Sequence, residues 1–389
     1  MISPFARHAR VENVPRILVN GPRAIAPGAH GVGIAAGFFD SSEEAFHRIA
    51  PQLWATYCQG PFGEYPELAS DFLVLIRKDN SADVYVGNIP KQVRIRAKRH
   101  IAANAPVTLK DMADITEQTF PKISIGESDS LIYCFRHAWR YGLFFDLSPG
   151  IGQPLDVIGL PRQLGHANRH VVFFDDYSAY RAAQNLGLIE DGWFPFIQLL
   201  GGEFRHLVDI YGQDDRDVLV DQFVHQYTGN KVAEIAEGWW KDELFASKRE
   251  ILLSGVEAFN SGTPSGAILC IKTFLSEIDG VVRLKFRSEN IAMARPRQSA
   301  LLEFIAIKAS EKFDTYSPAF PEAFFIYLKD TIFADFDLAA NAIPLSRHSA
   351  AHGVAAAETY TRARALQAIL AMDQLFFYLA KTPESNDAK

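Results

Sequence analysis

The chain predicts an α+β protein: an N-terminal mixed α+β domain around a small sheet, residues 1–190, followed by an all-α helical bundle, residues 195–385. Three observations carry that prediction. Before residue 190, short apolar runs rich in β-branched residues alternate with turn-forming clusters. From EFRHLVDIY (203–211) onward the apolar residues recur at helical spacing, and no stretch reads as a strand. With 389 residues the chain is long for one core, so two or three domains are expected. Hydrophobic residues at 48% and charged residues at 22% describe an ordinary folded protein, and 29 phenylalanines favour sizeable aromatic cores.

Residues 1–30 carry Arg7, Arg10, Arg16 and Arg23 with few acids, but lack the apolar region and small-residue cleavage pattern of a secretory leader. They read as an N-terminal arm. GAHGVGIAAG (28–37) has the spacing GxGxxxG with no strand before it, which makes it a flexible glycine-rich segment rather than a dinucleotide loop. SSEEAFHRIAPQLWATYC (41–58) opens with serines and glutamates, an N-cap signature, and reads as a helix. DFLVLIRKDNSADVYVGN (71–88) places two apolar runs around a KDNSAD turn, a hairpin pattern. KQVRIRAKRH (91–100) alternates strictly, GLFFDL (142–147) and HVVFFD (170–175) read as two further strands, and WRYGLFFDLSPG (139–150) as aromatic core.

In the second half, DELFASKREILLSGVEAF (242–259) aligns Leu244, Ile251, Leu252, Val256 and Phe259 on one helical stripe. SGTPS makes a turn in which Thr263 and Pro264 suit the start of the next helix, GAILCIKTFLSEIDGVVR (266–283), so the two form a helical hairpin. ALLEFIAIKAS (300–310) and EAFFIYLKDTIF (322–333) add helices. The last helix, 355–381, carries Leu366, Ile369, Leu370, Phe376 and Leu379, and PESNDAK is a frayed tail.

The net charge of −7 excludes bulk attraction to polyanions, so any nucleic-acid site must be a local basic patch. Cys58, Cys134 and Cys270 lie far apart without CxxC spacing, which argues against a zinc site or a disulfide framework and fits a reducing compartment. The apolar run GVGIAAGFF is about half the length needed to span a bilayer. A cytoplasmic protein without membrane association is expected.

One stretch carries chemistry: PLSRHSAAHG (344–353). His348 and His352 are four apart and share a helical face, whereas Arg347 and His352 are separated by roughly 140° on a straight helix. Pro344 blocks continuation from upstream and Gly353 supplies a positive φ, so the motif sits on a short helical turn or loop. Metal-free RNA cleavage needs a base for the 2′-hydroxyl, an acid for the leaving 5′-oxygen and a cation for the crowded phosphorane. Histidine suits the first two tasks and arginine the third. One copy per chain is thin for this, and two copies across a two-fold axis supply the full set, so the chemistry predicts a dimer. The plainer reading makes these residues helix caps or partners of nearby carbonyls. A zinc reading of His348 and His352 lacks the glutamate of HExxH and a third ligand, as does HANRH (166–170), which reads as a loop before a strand.

Arg347, the polar residue directly after it (His348), three spacers, His352 and a long final helix resemble the R-x4-6-H motif of the HEPN superfamily of helical-bundle proteins. The resemblance covers roughly 245–381, the C-terminal half only. It implies a dimeric, metal-independent endoribonuclease of toxin, abortive-infection or other antiviral systems, or a member that has lost catalysis and serves as a binding or dimerisation module. By position, Arg347 and His352 become catalytic and His348 supporting, while Glu277 in SEIDG is a candidate for the assisting bundle acid. No cofactor or metal is implied. RNA, a second copy of the chain and an antitoxin or trigger protein are the expected partners. The bare pattern also matches Arg23…His30 and Arg94…His100, which lack the helical setting.

On a strand, Arg94, Arg96, Lys98 and His100 share one face, a cationic row able to track a phosphate backbone. The alternative is a solvated face, or an edge strand guarded by charge.

Overall fold

The computed structural model describes residues 6–17, 19–20, 26–30, 33–65, 71–289, 296–339 and 343–381. Arg23, part of the glycine-rich segment (residues 31–32) and the tail PESNDAK lie outside the described residues. The chain forms two compact units, neither contiguous in sequence. Unit 1 contains residues 1–96 and 114–174, and unit 2 contains 97–113 and 175–389. The architecture is α+β, a sheet-bearing N-terminal region followed by a helical C-terminal half. No helix among the described residues is long and apolar enough to cross a membrane.

Unit 1 is organised by strands β1 (Arg7–Val11), β2 (Val19–Asn20), β3 (Gly33–Ile34), β4 (Ala36–Asp40), β5 (Phe72–Ile76), β6 (Ala82–Val86), β7 (Gln92–Ala97), β8 (Met112–Thr119), β9 (Ser130–His137) and β10 (Arg140–Asp146). Six of them form an antiparallel sheet in the order β1-β6-β5-β9-β10-β4. The predicted hairpin is β5–β6, with Val74 opposite Val84. Strand β5 reads FLVLI without polar interruption because both its faces are covered. Phe72, Val74 and Ile76 pack with Phe46, Leu53 and Trp54 of helix α1 (Glu44–Tyr57). Leu73 and Leu75 face the other way, into a core with Leu160, Leu164 and Val171 of helix α3 (Leu160–Val172). A short helix α2 (Gln59–Phe62) follows α1. Strand β7 ends at Ala97, three residues before the sequence-predicted end, and pairs only with β8 in a two-stranded ribbon.

HVVFFD (170–175) is not a strand. It spans the end of α3 and the start of α4 (Phe174–Asn185), and HANRH lies inside α3 rather than in a loop. Gly165 on α3 lets that helix approach closely, since a Cβ there would stand 2.6 Å from the backbone of Glu117 in β8.

Unit 2 continues with α5 (Glu203–Tyr211), α6 (Arg216–His225), α7 (Asn230–Trp239), α8 (Glu243–Ala246), α9 (Arg249–Asn260), α10 (Pro264–Glu289), α11 (Gln298–Lys312), α12 (Pro321–Tyr327), α13 (Arg347–His352) and α14 (Arg362–Leu379). The hairpin α9–α10 is as predicted, with Thr263 Oγ1 accepting the Gly266 N–H at its turn. The stripe over 242–259 is split between α8 and α9, leaving Ile251 exposed and Leu252, Val256 and Phe259 buried. Helix α12 runs into a π-helical turn, Leu328–Ile332. The final helix begins at Arg362, seven residues later than the sequence suggests, with Thr361 as its cap. It is buried nearly all round, as a central helix must be. Its buried Gln374 is matched, accepting from the Ile197 N–H and donating to Ala319 O.

Candidate functional site

Helix α13 is the six-residue segment RHSAAH itself. Ser346 caps its N-terminus, accepting from the Ser349 N–H, while the Ser349 hydroxyl accepts from the Ser346 N–H in return. Gly353 closes it at φ 69°, a conformation glycine adopts without strain. Serines and a glycine thus fix a single turn and a half, buried at Ser349 and Ala350 and exposed at its C-terminal end, with Arg347 and His352 at its two ends.

Arg347 begins the helix and reaches α10. Its Nη2 donates to Asp279 Oδ2 at 3.0 Å, and the same oxygen accepts from Arg283 Nε at 2.7 Å. Asp279 is buried, and its Oδ1 has no hydrogen-bond partner among the described residues. Arg347 is partly open to solvent, and its other N–H groups have no partner among the described residues. Glu277, the acid favoured by sequence, is elsewhere engaged. Lys248 Nζ lies 2.9 Å from its Oε2, an ion pair without hydrogen-bond alignment. Two residues along a helix turn by roughly 200°, so Glu277 and Asp279 face different ways. Asp279 is the acid that meets the arginine.

His348 Nε2 stands 2.7 Å from Gln298 Oε1, an arrangement that places the proton on Nε2. Gln298 Nε2 in turn donates to Phe333 O, just after the π-helical turn. His348 is therefore held in a side-chain network at the start of α11. His352, at the far end of α13, is exposed, and its ring centroid lies 5.7 Å from that of Phe336. Arg347 and His352 are separated by about 7.5 Å along the helix axis and roughly 140° around it. Within one chain they do not converge on one phosphate. No group of three or more metal-ligating side chains occurs among the described residues.

The basic row does not stay on one surface. Arg94 is exposed, with Nη1 3.4 Å from Glu117. Arg96 is half-buried, and burial lowers its pKa against the raising effect of Asp114. Lys98 is buried, because the strand has ended and its Nζ donates to Leu200 O at 2.7 Å. Burial pushes its pKa down to about 8 despite Asp176 and Glu203 nearby. A side chain so placed anchors the protein interior and is closed to RNA.

Sequence reasoning missed the buried polar centre around it. Asp176 accepts from the Gly201 N–H, and burial raises its pKa to about 6. Asp373 on α14 accepts from Trp239 Nε1 at 2.8 Å and from Gln198 Nε2 at 2.9 Å, and burial raises its pKa to about 7. The one sequence signal was the polar pair Asp373–Gln374 inside the otherwise apolar LAMDQLFF. No family model, curated protein or solved structure matches this chain.

Proposed function

We propose that this protein is a metal-independent endoribonuclease of HEPN type, cutting RNA at a composite site made by two copies of α13. What supports the reading is Arg347: a buried acid of the bundle holds its guanidinium while leaving N–H groups for a phosphate, on the same short capped helix that displays His352 to solvent. The acid that orients the arginine is Asp279 in place of Glu277. Because one chain holds Arg347 and His352 apart, the two-fold dimer is integral to the proposal. In it, His352 takes the 2′-hydroxyl proton as O2′ attacks phosphorus, and the partner subunit's His352 protonates the departing O5′. The Arg347 guanidinium neutralises the phosphorane, and the products are a 2′,3′-cyclic phosphate and a 5′-hydroxyl. The N-terminal unit then selects the target or senses a trigger, such as phage infection or release from an antitoxin, in the cytoplasm.

Purified protein should cleave RNA in EDTA, with His352→Ala and Arg347→Lys each reducing the rate by about 10²-fold or more at unchanged helicity. Full activity in both variants refutes the site. A second reading has its own observation in favour: the Arg347–Asp279–Arg283 cluster suffices as a structural tie in a non-catalytic interaction module. A protein that dimerises but leaves RNA intact, and in which Arg347→Lys only lowers the Tm, selects that reading.

A further inference from the structure

The tip of the β9–β10 hairpin, in unit 1, has a feature that packing does not require. Arg140 pairs with His137 across the ladder, so Ala138 and Trp139 alone make the turn. Ala138 sits at φ 53°, a left-handed conformation that glycine or asparagine adopts far more readily, so the turn carries strain. Trp139 is 68% exposed, although tryptophan is usually among the more buried side chains. Its indole is nevertheless held: the Arg140 guanidinium lies 4.4 Å from the Trp139 ring centroid and 3.2 Å from that of Phe174, a cation wedged between two rings. Arg140 is itself buried and lies 3.9 Å from Asp40. No other ring meets Trp139 among the described residues. Exposed Arg136 and His137 flank it, and the Arg136 side chain has no ion-pair partner among the described residues.

We infer that Trp139 is a stacking platform for an unpaired base of single-stranded RNA, with Arg136 and His137 attracting the adjoining phosphates. The inference rests on the ribonuclease reading and deepens it by naming the substrate's form. An aromatic face fixed in advance loses little freedom on binding, and stacking is tolerant of base identity. The positive charge of Arg136 favours a polyanion over an apolar protein partner.

The test uses the full chain carrying His352→Ala, to prevent cleavage, with fluorescently labelled hexamers of uridylate and adenylate at fixed salt. Removing one stacked base contact should weaken binding about tenfold in Trp139→Ala and Trp139→Leu, while Trp139→Phe keeps most of the affinity. Arg136→Ser should reduce the salt dependence of binding. Affinity equal across the tryptophan series, or no binding by the parent protein, overturns the inference. EDTA-resistant cleavage that persists alongside Trp139-independent binding refutes this inference alone. Trp139-dependent binding without any cleavage by the unmutated chain refutes the nuclease reading alone.

Discussion

Replacing Asp373 by asparagine should flatten the pH dependence of unfolding of the helical unit. In the folded chain this carboxyl is shut away from water between Trp239 and Gln198, and burial raises its pKa from 3.8 to about 7. The folded state thus keeps a proton that the unfolded chain releases near pH 4. Unfolding at intermediate pH sheds that proton, so stability falls as pH rises, beginning near the unfolded value and levelling off above about pH 7. Between pH 5 and pH 8 the linkage amounts to about 2–3 kcal/mol, as an order of magnitude. Asp176 titrates with the same sign, and Lys98, pushed down to about 8, enters only at the alkaline end. The informative quantity is therefore the difference between parent and variant. Asparagine still accepts from the indole, and Gln198 can turn its amide to accept from the new NH2. Urea titrations followed by circular dichroism across this pH range should show Asp373→Asn gaining on the parent by about 2–3 kcal/mol as pH rises. A difference that stays constant within about 0.5 kcal/mol refutes the buried-proton account.

Asp279→Asn should cost about 2 kcal/mol in urea unfolding, because two partly solvated guanidinia lose their carboxylate, and should also reduce RNA cleavage at least tenfold. Glu277→Gln also removes a largely buried ion pair but should leave cleavage within about threefold, so the cleavage readout separates the acid that holds Arg347 from its neighbour. If Glu277→Gln does the greater damage to cleavage, the assignment of Asp279 fails. Gly165→Ala should destabilise unit 1 by about 3 kcal/mol, since the new methyl meets the backbone of β8 rather than a movable side chain. A Tm unchanged from that of the parent would show that α3 is free to shift.

The parts legible in the sequence are those whose signals are local. The 71–88 hairpin, helix α1, the α9–α10 hairpin and the short turn at 347–352 each rest on turn residues or periodicity within about 30 positions. HVVFFD misled because a short apolar run carries no phase of its own. The longer pattern Leu160, Leu164, Ala167, Val171 is helical, and these four pack on one face of the sheet. Strand β9 escaped notice because its centre, LIYCF, is buried on both faces, so the alternation that marks a strand is absent. At the candidate site, composition and spacing point to Arg347 and His352, but not to the choice between Glu277 and Asp279. Buried residues of α10 flank both acids at helical spacing, and only the neighbours that the fold brings up separate them: Asp279 meets Arg347 and Glu277 meets Lys248. Lys98 is a similar case: its alternation with Arg94 and Arg96 is real, yet a carbonyl 102 residues away decides its burial.

The clasp between Lys98 and Leu200 also orders events in time. Residues 97–113 leave the ribosome well before the helices they belong with, so at about 5–20 residues per second they wait several seconds for Leu200 to emerge. Cutting the gene at a single point frees neither half whole. A fragment starting at 175 lacks the strand-end lysine, and the stretch around Leu200 and Gly201 loses its cover. A recombination event that transfers the helical half whole must carry residues 97–113 along with it.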